Sequence, residues 1–307
     1  MLYNICDDPR PNDSSSSLPN ATVVPIIGKE TEQFVHHFVV WLARDCTEES
    51  YFTRQMVYAW APGDEGFALP DDVGFPFLNS ENNQAIHMQI HYNNPSFVSG
   101  MKDSSGLRLY YSNTERTHRA GMLETGDPHL ALFGEEISDG LTKYSFTCPG
   151  ACSSSMLAAG KRRIGANEET ITILAEGLHM HASGVRMTNE LIRDGKVVHE
   201  SVADVFDFDE QGAFYDSQDP YEVLPGDSFR TTCYYKDGKK FGLSSSEEMC
   251  MAFLLYYPAK ETSFGQPWQC LHQPWDDFGT GCATELESTE LNSVRELGRI
   301  FGEPSTL

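Results

Sequence analysis

Leu178-His179-Met180-His181 sets two imidazoles at i and i+2 in an apolar run. On an extended strand, residues two apart share a face, so both rings project together while Met180 turns into packing on the other face. That is a chelating geometry. A second pair, His36-His37, lies inside Val35–Trp41. Adjacent strand residues face opposite ways. This pair can therefore close on one metal only if the strand twists or bulges, or if one ring uses Nδ1 and the other Nε2. Otherwise both are core histidines, which need hydrogen-bond partners. In Ala85–Tyr92, the residues His87, Gln89 and His91 share a face, and at least one of the histidines could complete a site. Met249 follows Ser245–Glu248 and precedes the apolar run Met251–Tyr257, where it is either core filler or a soft ligand. Imidazoles together with a thioether suit copper, Cu(I) above all, better than zinc or a hard oxygen-seeking cation. His118, His129, His199 and His272 stand in polar or loop contexts and read as surface residues.

The elements that must carry these residues read as strands. Short β-branched and aromatic runs alternate with turn-forming clusters: Thr22–Ile27, Phe34–Leu42, Ala85–Tyr92, Leu107–Tyr111, Thr170–Leu174, Val197–Val202 and Ala252–Tyr257. Turns are marked by Asp194-Gly195, Pro225-Gly226 and Asp237-Gly238. The pattern predicts an all-β fold of sandwich type. Glu285–Phe301 is the best helix candidate, with Leu286, Leu291, Val294, Leu297 and Phe301 roughly on one face. The 307 residues suffice for one large or two ordinary domains, with a weakly marked boundary near Thr117–Gly121.

A net charge of −23 argues against nucleic-acid binding, which needs a basic face. Acidic pairs such as Asp71-Asp72 and Glu247-Glu248 read as solvated surface. No apolar run is long enough to span a membrane. The eight cysteines fit four disulfides and an oxidising compartment. Two glycosylation sequons, Asn12-Asp13-Ser14 and Asn20-Ala21-Thr22, agree with a secreted protein or one of the secretory-pathway lumen. Met1–Cys6 lacks the charged and apolar regions of a signal peptide, so the sequence is expected to begin after one.

Five ordered segments resemble the copper type II, ascorbate-dependent monooxygenases. They are Val24–Ile26 through Val35-His36-His37; Gln89–Pro95; Asp103–Tyr111; Leu178–His181; and Glu247–Cys250 with Tyr256-Tyr257-Pro258. The resemblance implies two consecutive β-sandwich domains, residues 1–118 and 119–307, the second with a C-terminal extension, and a cleft between two separate copper sites. His36, His37 and His91 match the ligands of an electron-transfer copper. His179, His181 and Met249 match those of the copper at which dioxygen is activated, and are the expected catalytic residues. His87 matches no ligand position. Ascorbate is the implied reductant, and one oxygen atom of O2 enters an aliphatic C–H bond of a small molecule. Peptide-hydroxylating members carry an arginine, an asparagine and a tyrosine where this chain has Gly177, Met251 and Phe253. That points away from peptides and toward an apolar or amine-containing substrate, closer to the dopamine β-monooxygenase and monooxygenase-X branch than to peptidylglycine hydroxylation. The resemblance also implies the disulfides Cys233–Cys250, Cys148–Cys270 and Cys152–Cys282. In the first domain the family's intervening loop is shortened, and Cys6 and Cys46 are expected to pair directly. Two other readings compete: a copper-binding protein without catalysis, and a zinc hydrolase. The second wants a histidine–carboxylate site, and no His-Glu-x-x-His occurs.

Overall fold

The computed structural model describes residues 2–5, 22–43, 55–64, 66–75, 85–94, 96–110, 114, 116–127, 134–159, 170–208, 215–242, 244, 246–260, 269–271 and 285–290. Strands dominate, as the alternating pattern predicts. A four-stranded sheet has the order β1 (Leu2–Ile5), β7 (Ala85–Tyr92), β3 (Val35–Ala43), β4 (Gln55–Trp60). Facing it is a three-stranded sheet of β5 (Phe67–Ala68), β2 (Thr22–Ile26) and β8 (Gly106–Leu109). One core joins the two: Phe38, Val40, Leu42, Ile86, Met88 and Ile90, with Val23, Leu107 and Leu109 packed against it. Two short strands, β6 (Val73–Gly74) and β9 (His118–Arg119), pair in parallel.

The rest of the described chain forms two five-stranded sheets. One runs β15 (Tyr215–Val223), β12 (Ile171–Met180), β17 (Cys250–Tyr257), β10 (Gly121–Asp127), β18 (Gln269–Leu271). The other runs β14 (Lys196–Ala203), β13 (Gly184–Arg193), β16 (Ser228–Tyr235), β11 (Thr142–Cys148), β19 (Glu285–Glu290). They share a core in which Leu178, Met180, Ala252 and Leu254 meet Phe146, Met187, Phe229 and Tyr235. Asp194-Gly195 closes the β13–β14 hairpin with both φ angles positive, at 51° and 73°, as the tight hairpin turn requires. Two disulfides cross between these sheets, Cys233–Cys250 from β16 to β17 and Cys148–Cys270 from β11 to β18. Cys152 is also disulfide-bonded. Its expected partner Cys282, together with Cys6 and Cys46, lies outside the described residues.

The helix expectation at Glu285–Phe301 is overturned where it can be read. Glu285–Glu290 is strand β19, paired antiparallel with the open edge of β11, Glu285 opposite Thr147. A partner edge outweighs a weak helical period over six residues. Residues 291–301 lie outside the described residues. Conversely, Gly150–Ala159 forms helix α1 without any apolar periodicity to announce it.

One further cluster joins the two halves: Trp41, Met56, Leu69 and Val73 pack with Ala120, Met122, Ala175 and Leu255, and Val39, Phe253 and Tyr257 lean against them. Alternation explains it. On β3, Phe38, Val40 and Leu42 enter their own core, so Val39 and Trp41 face outward. On β17, Cys250, Ala252, Leu254 and Tyr256 face inward, leaving Phe253, Leu255 and Tyr257 outside. The two outward faces meet. No helix among the described residues is long and apolar enough to cross a membrane.

Candidate metal centre

Along β3 the outward face passes from Trp41 through Val39 to His37. The partner register follows it, with Trp41 opposite His87, Val39 opposite Gln89 and His37 opposite His91. Residues directly opposite in an antiparallel pair share a face, so His37 and His91 project together. The pairing then slips: Val35 stands opposite Tyr92, so two steps on β3 match one on β7. His36 is the extra residue of this bulge. The bulge re-aims a ring that strict alternation would have sent to the other face. His36 Nδ1 and His37 Nδ1 lie 2.8 Å apart. One ring nitrogen from each of His36, His37 and His91 lies within 4.8 Å of the other two. Donors on one metal, at bonds of roughly 2.0 Å and right-angled to tetrahedral, sit about 2.8–3.3 Å apart, so shifts of no more than about 2 Å between donors close this set. The donor set fits copper.

Burial lowers the pKa of His37 to about 2, helped by the nearby His179, His91, His36 and His181. Burial also lowers that of His91. Both are neutral imidazoles at physiological pH, with lone pairs available to a metal.

On β12 the outward face passes from Ala175 through Gly177 to His179. These stand opposite Leu255, Phe253 and Met251 of β17. His179 and His181 have ring centroids 5.1 Å apart. The pairing of β12 with β17 ends at Met180 opposite Cys250, so His181 and Met249 are the residues next beyond the two paired ends. Met180, between the two, is fully buried in the core. The loop bearing Met249 is anchored by the Tyr235 hydroxyl, which donates to the Met249 carbonyl at 2.8 Å. His181 Nδ1 lies 2.9 Å from the Glu247 carbonyl. A carbonyl only accepts, so Nδ1 carries the proton and Nε2 keeps its lone pair for a metal. Burial lowers the His181 pKa, against the opposing pull of the Glu247 carbonyl and the Glu248 carboxylate. Two imidazoles with a thioether are, by donor type, a set that fits Cu(I).

Glu248, expected from the sequence to be a solvated acid, is fully buried. Its carboxylate accepts from the backbone N–H of His181 at 3.0 Å and of Ser183 at 2.7 Å, and faces Lys239 Nζ at 3.3 Å. These bonds compensate the buried charge and fix the turn after His181. The signal available in the sequence was its place, one residue before Met249 at the mouth of an apolar strand.

The two sets confront each other at the histidine end of the joining interface, nearer than their sequence separation suggests. Phe208 touches both, with ring centroids 4.4 Å from His36 and 5.6 Å from His181. The sets remain distinct: the cluster of His36, His37 and His91 does not take in His179 or His181. Phe208 carried no signal in the sequence beyond an aromatic residue among acids. His87 is fully buried beside Trp41 rather than in either set. His118 and His199 are not free surface residues: His118 packs on Tyr257 at 5.3 Å and His199 stacks on Tyr221 at 3.7 Å. His129 and His272 lie outside the described residues. The sulfurs of Cys148, Cys152 and Cys270 also cluster, but all three cysteines are disulfide-bonded and offer no thiolate.

Two family models match the chain. Residues 20–99 match the copper type II ascorbate-dependent monooxygenase N-terminal domain and residues 111–269 its C-terminal domain. The chain is 32% identical over 260 residues to DBH-like monooxygenase protein 1 of Gallus gallus, covering 77% of this chain and 41% of that protein. It is 29% identical over 258 residues to dopamine beta-hydroxylase of Canis lupus familiaris, covering 76% and 39%. Against tyramine beta-hydroxylase of Caenorhabditis briggsae it is 27% identical over 255 residues, covering 77% and 42%. The matches thus span about two fifths of the length of these relatives.

Proposed function

We infer, for a chain that belongs to the copper type II ascorbate-dependent monooxygenase family, that it hydroxylates an aliphatic C–H bond of a small apolar or amine-containing molecule. The observation that carries this reading is the confrontation of two unlike donor sets across one interface. His36, His37 and His91 would hold the electron-transfer copper. His179, His181 and Met249 would hold the oxygen-activating copper, where the thioether favours the reduced metal. Copper, when bound, supplies the one-electron steps and the reduction of dioxygen, chemistry that no side chain provides. In the overall balance one C–H becomes C–OH, the second oxygen atom leaves as water, and ascorbate gives two electrons and two protons.

The part of the protein itself is positional. Neutral imidazoles present lone pairs at working pH, the β3 bulge aims His36 beside His37, and Glu248 holds the turn that carries His181. Gly177 and Phe253 face each other on the outward side of β12 and β17, with Phe253 6.3 Å from the His179 ring. An apolar wall there supports an apolar or amine substrate over a peptide carboxylate. On this reading residues 1–118 carry the first site and 119–307 the second, and the disulfides support a secreted or secretory-lumen location.

Copper-loaded protein is to be incubated with ascorbate and a panel of phenethylamines, other amines and peptides. Ascorbate-dependent oxygen uptake with a product one oxygen atom heavier is the expected result. Retained copper with no uptake on any of them would make this a copper-binding protein without catalysis.

A further inference from the structure

Phe208 touches one ring of each histidine set. Its ring is tilted 40° to that of His36 and lies nearly edge-on, at 72°, to that of His181. The connection that carries it is tied down before it reaches the site. Arg186 Nε donates to Asp204 Oδ1 at 3.1 Å, the Phe206 N–H donates to the Val185 carbonyl at 3.0 Å, and Phe206 is buried in the core of the second half. Phe208 itself is only partly buried against that core. The apolar residues that join the two halves, Trp41, Met56 and Leu255 among them, form a separate cluster. The halves are thus also joined away from this ring. One hydrocarbon ring nonetheless contacts an imidazole of each set.

Building on the hydroxylation reading, we propose that Phe208 is a specificity-determining residue: its side chain fills the space that the apolar group of a substrate takes between the two sets, and so limits the bulk that can be held there. A C–H bond to be hydroxylated must be presented beside His179, His181 and Met249, and His181 is one of the two rings that Phe208 touches. A phenyl group of a substrate would make the same tilted and edge contacts to the imidazoles that Phe208 makes, so the two compete for one volume. Truncating the side chain leaves an apolar space of the kind that takes up a benzene ring, while a larger side chain narrows it.

Phenethylamine binding to the copper-free protein, followed by titration calorimetry, tests this without any turnover. Phe208→Ala should bind about tenfold tighter than the unsubstituted protein and Phe208→Trp about tenfold weaker, with Phe208→Leu between alanine and phenylalanine. Equal affinities across the series, or the reverse order, overturn the proposal. Thermal unfolding identifies any variant that fails to fold; should the alanine variant do so, the leucine–tryptophan comparison decides. The outcome separates from that of the monooxygenase reading. If copper-loaded protein takes up no oxygen with ascorbate while the graded affinities hold, the catalytic reading fails and the role of Phe208 in binding stands.

Discussion

His179 stands on an unbroken stretch of register between β12 and β17, with His181 just past its end, whereas His36 and His37 stand at a one-residue slip between β3 and β7. Period-two alternation suffices to bring residues i and i+2 to one face. It forbids the same for neighbours, so the first set needs an irregular backbone. The supports differ accordingly. The second set leans on one buried carboxylate, Glu248, which ties the turn at His181–Ser183. The first set leans on a hub outside it. Asp103 accepts from Thr31 Oγ1 at 2.5 Å, from Ser105 Oγ at 2.7 Å and from the Tyr92 hydroxyl at 2.7 Å. Those bonds fix the turn that enters β3 and the end of β7 next to His91. The second set is thus held from within, by bonds to its own turn and ring, while the first is held from its flanks.

Removing a ligand from either set breaks the comparison most severely. His179→Ala and His37→Ala should each cost hydroxylation more than the about 10- to 100-fold typical of losing a supporting residue. Turnover with the substrate found in the oxygen-uptake screen measures it. Met249→Ile should lose activity comparably, since it removes the thioether, yet keep the fold within about 1.5 kcal/mol in denaturant unfolding because the volumes are similar. Near-normal activity in that variant would make Met249 core filler.

Substitutions in the supports sharpen the contrast. Glu248→Gln keeps the shape but loses the charge that two backbone N–H groups and Lys239 address. It should cost about 1–3 kcal/mol of stability. Copper affinity should weaken at the second set and not at the first, as separate titrations of the His37→Ala and His179→Ala backgrounds would reveal. Asp103→Asn should act more gently and in acid. Burial raises the Asp103 carboxyl, but the hydrogen bonds from Thr31, Ser105 and Tyr92 outweigh that and hold it at about 2. A depressed carboxyl stabilises the fold above its unfolded pKa and loses that contribution as pH falls toward the folded value. The unsubstituted protein should therefore lose stability between roughly pH 4 and pH 2 with a component that Asp103→Asn lacks. Parallel acid-unfolding curves would remove Asp103 from the account.

The approach of His179 and His181 was legible because residues two apart on a strand share a face, and His179-Met180-His181 has that spacing. The alternatives posed by His36-His37 were legible too, though only the register of β3 on β7 selects the bulge. Strand positions followed from alternation, and the β13–β14 turn from Asp194-Gly195. Less could be read where tertiary partners decide. Glu285–Glu290 joins β11 because that edge is open, and no local pattern encodes an open edge. Glu248 resembles any surface acid until the His181 turn folds over it. Phe208 becomes part of the site only when two outward faces, remote in sequence, are laid together.

Copper bound per chain tests the central claim, that two separate sets each hold one metal, most directly. Metal analysis after equilibrium loading should give about two for the unsubstituted protein, about one for His37→Ala, about one for His179→Ala and about none for the double variant. A single copper on the unsubstituted protein, or loss of all copper on either single substitution, would contradict two separate sites.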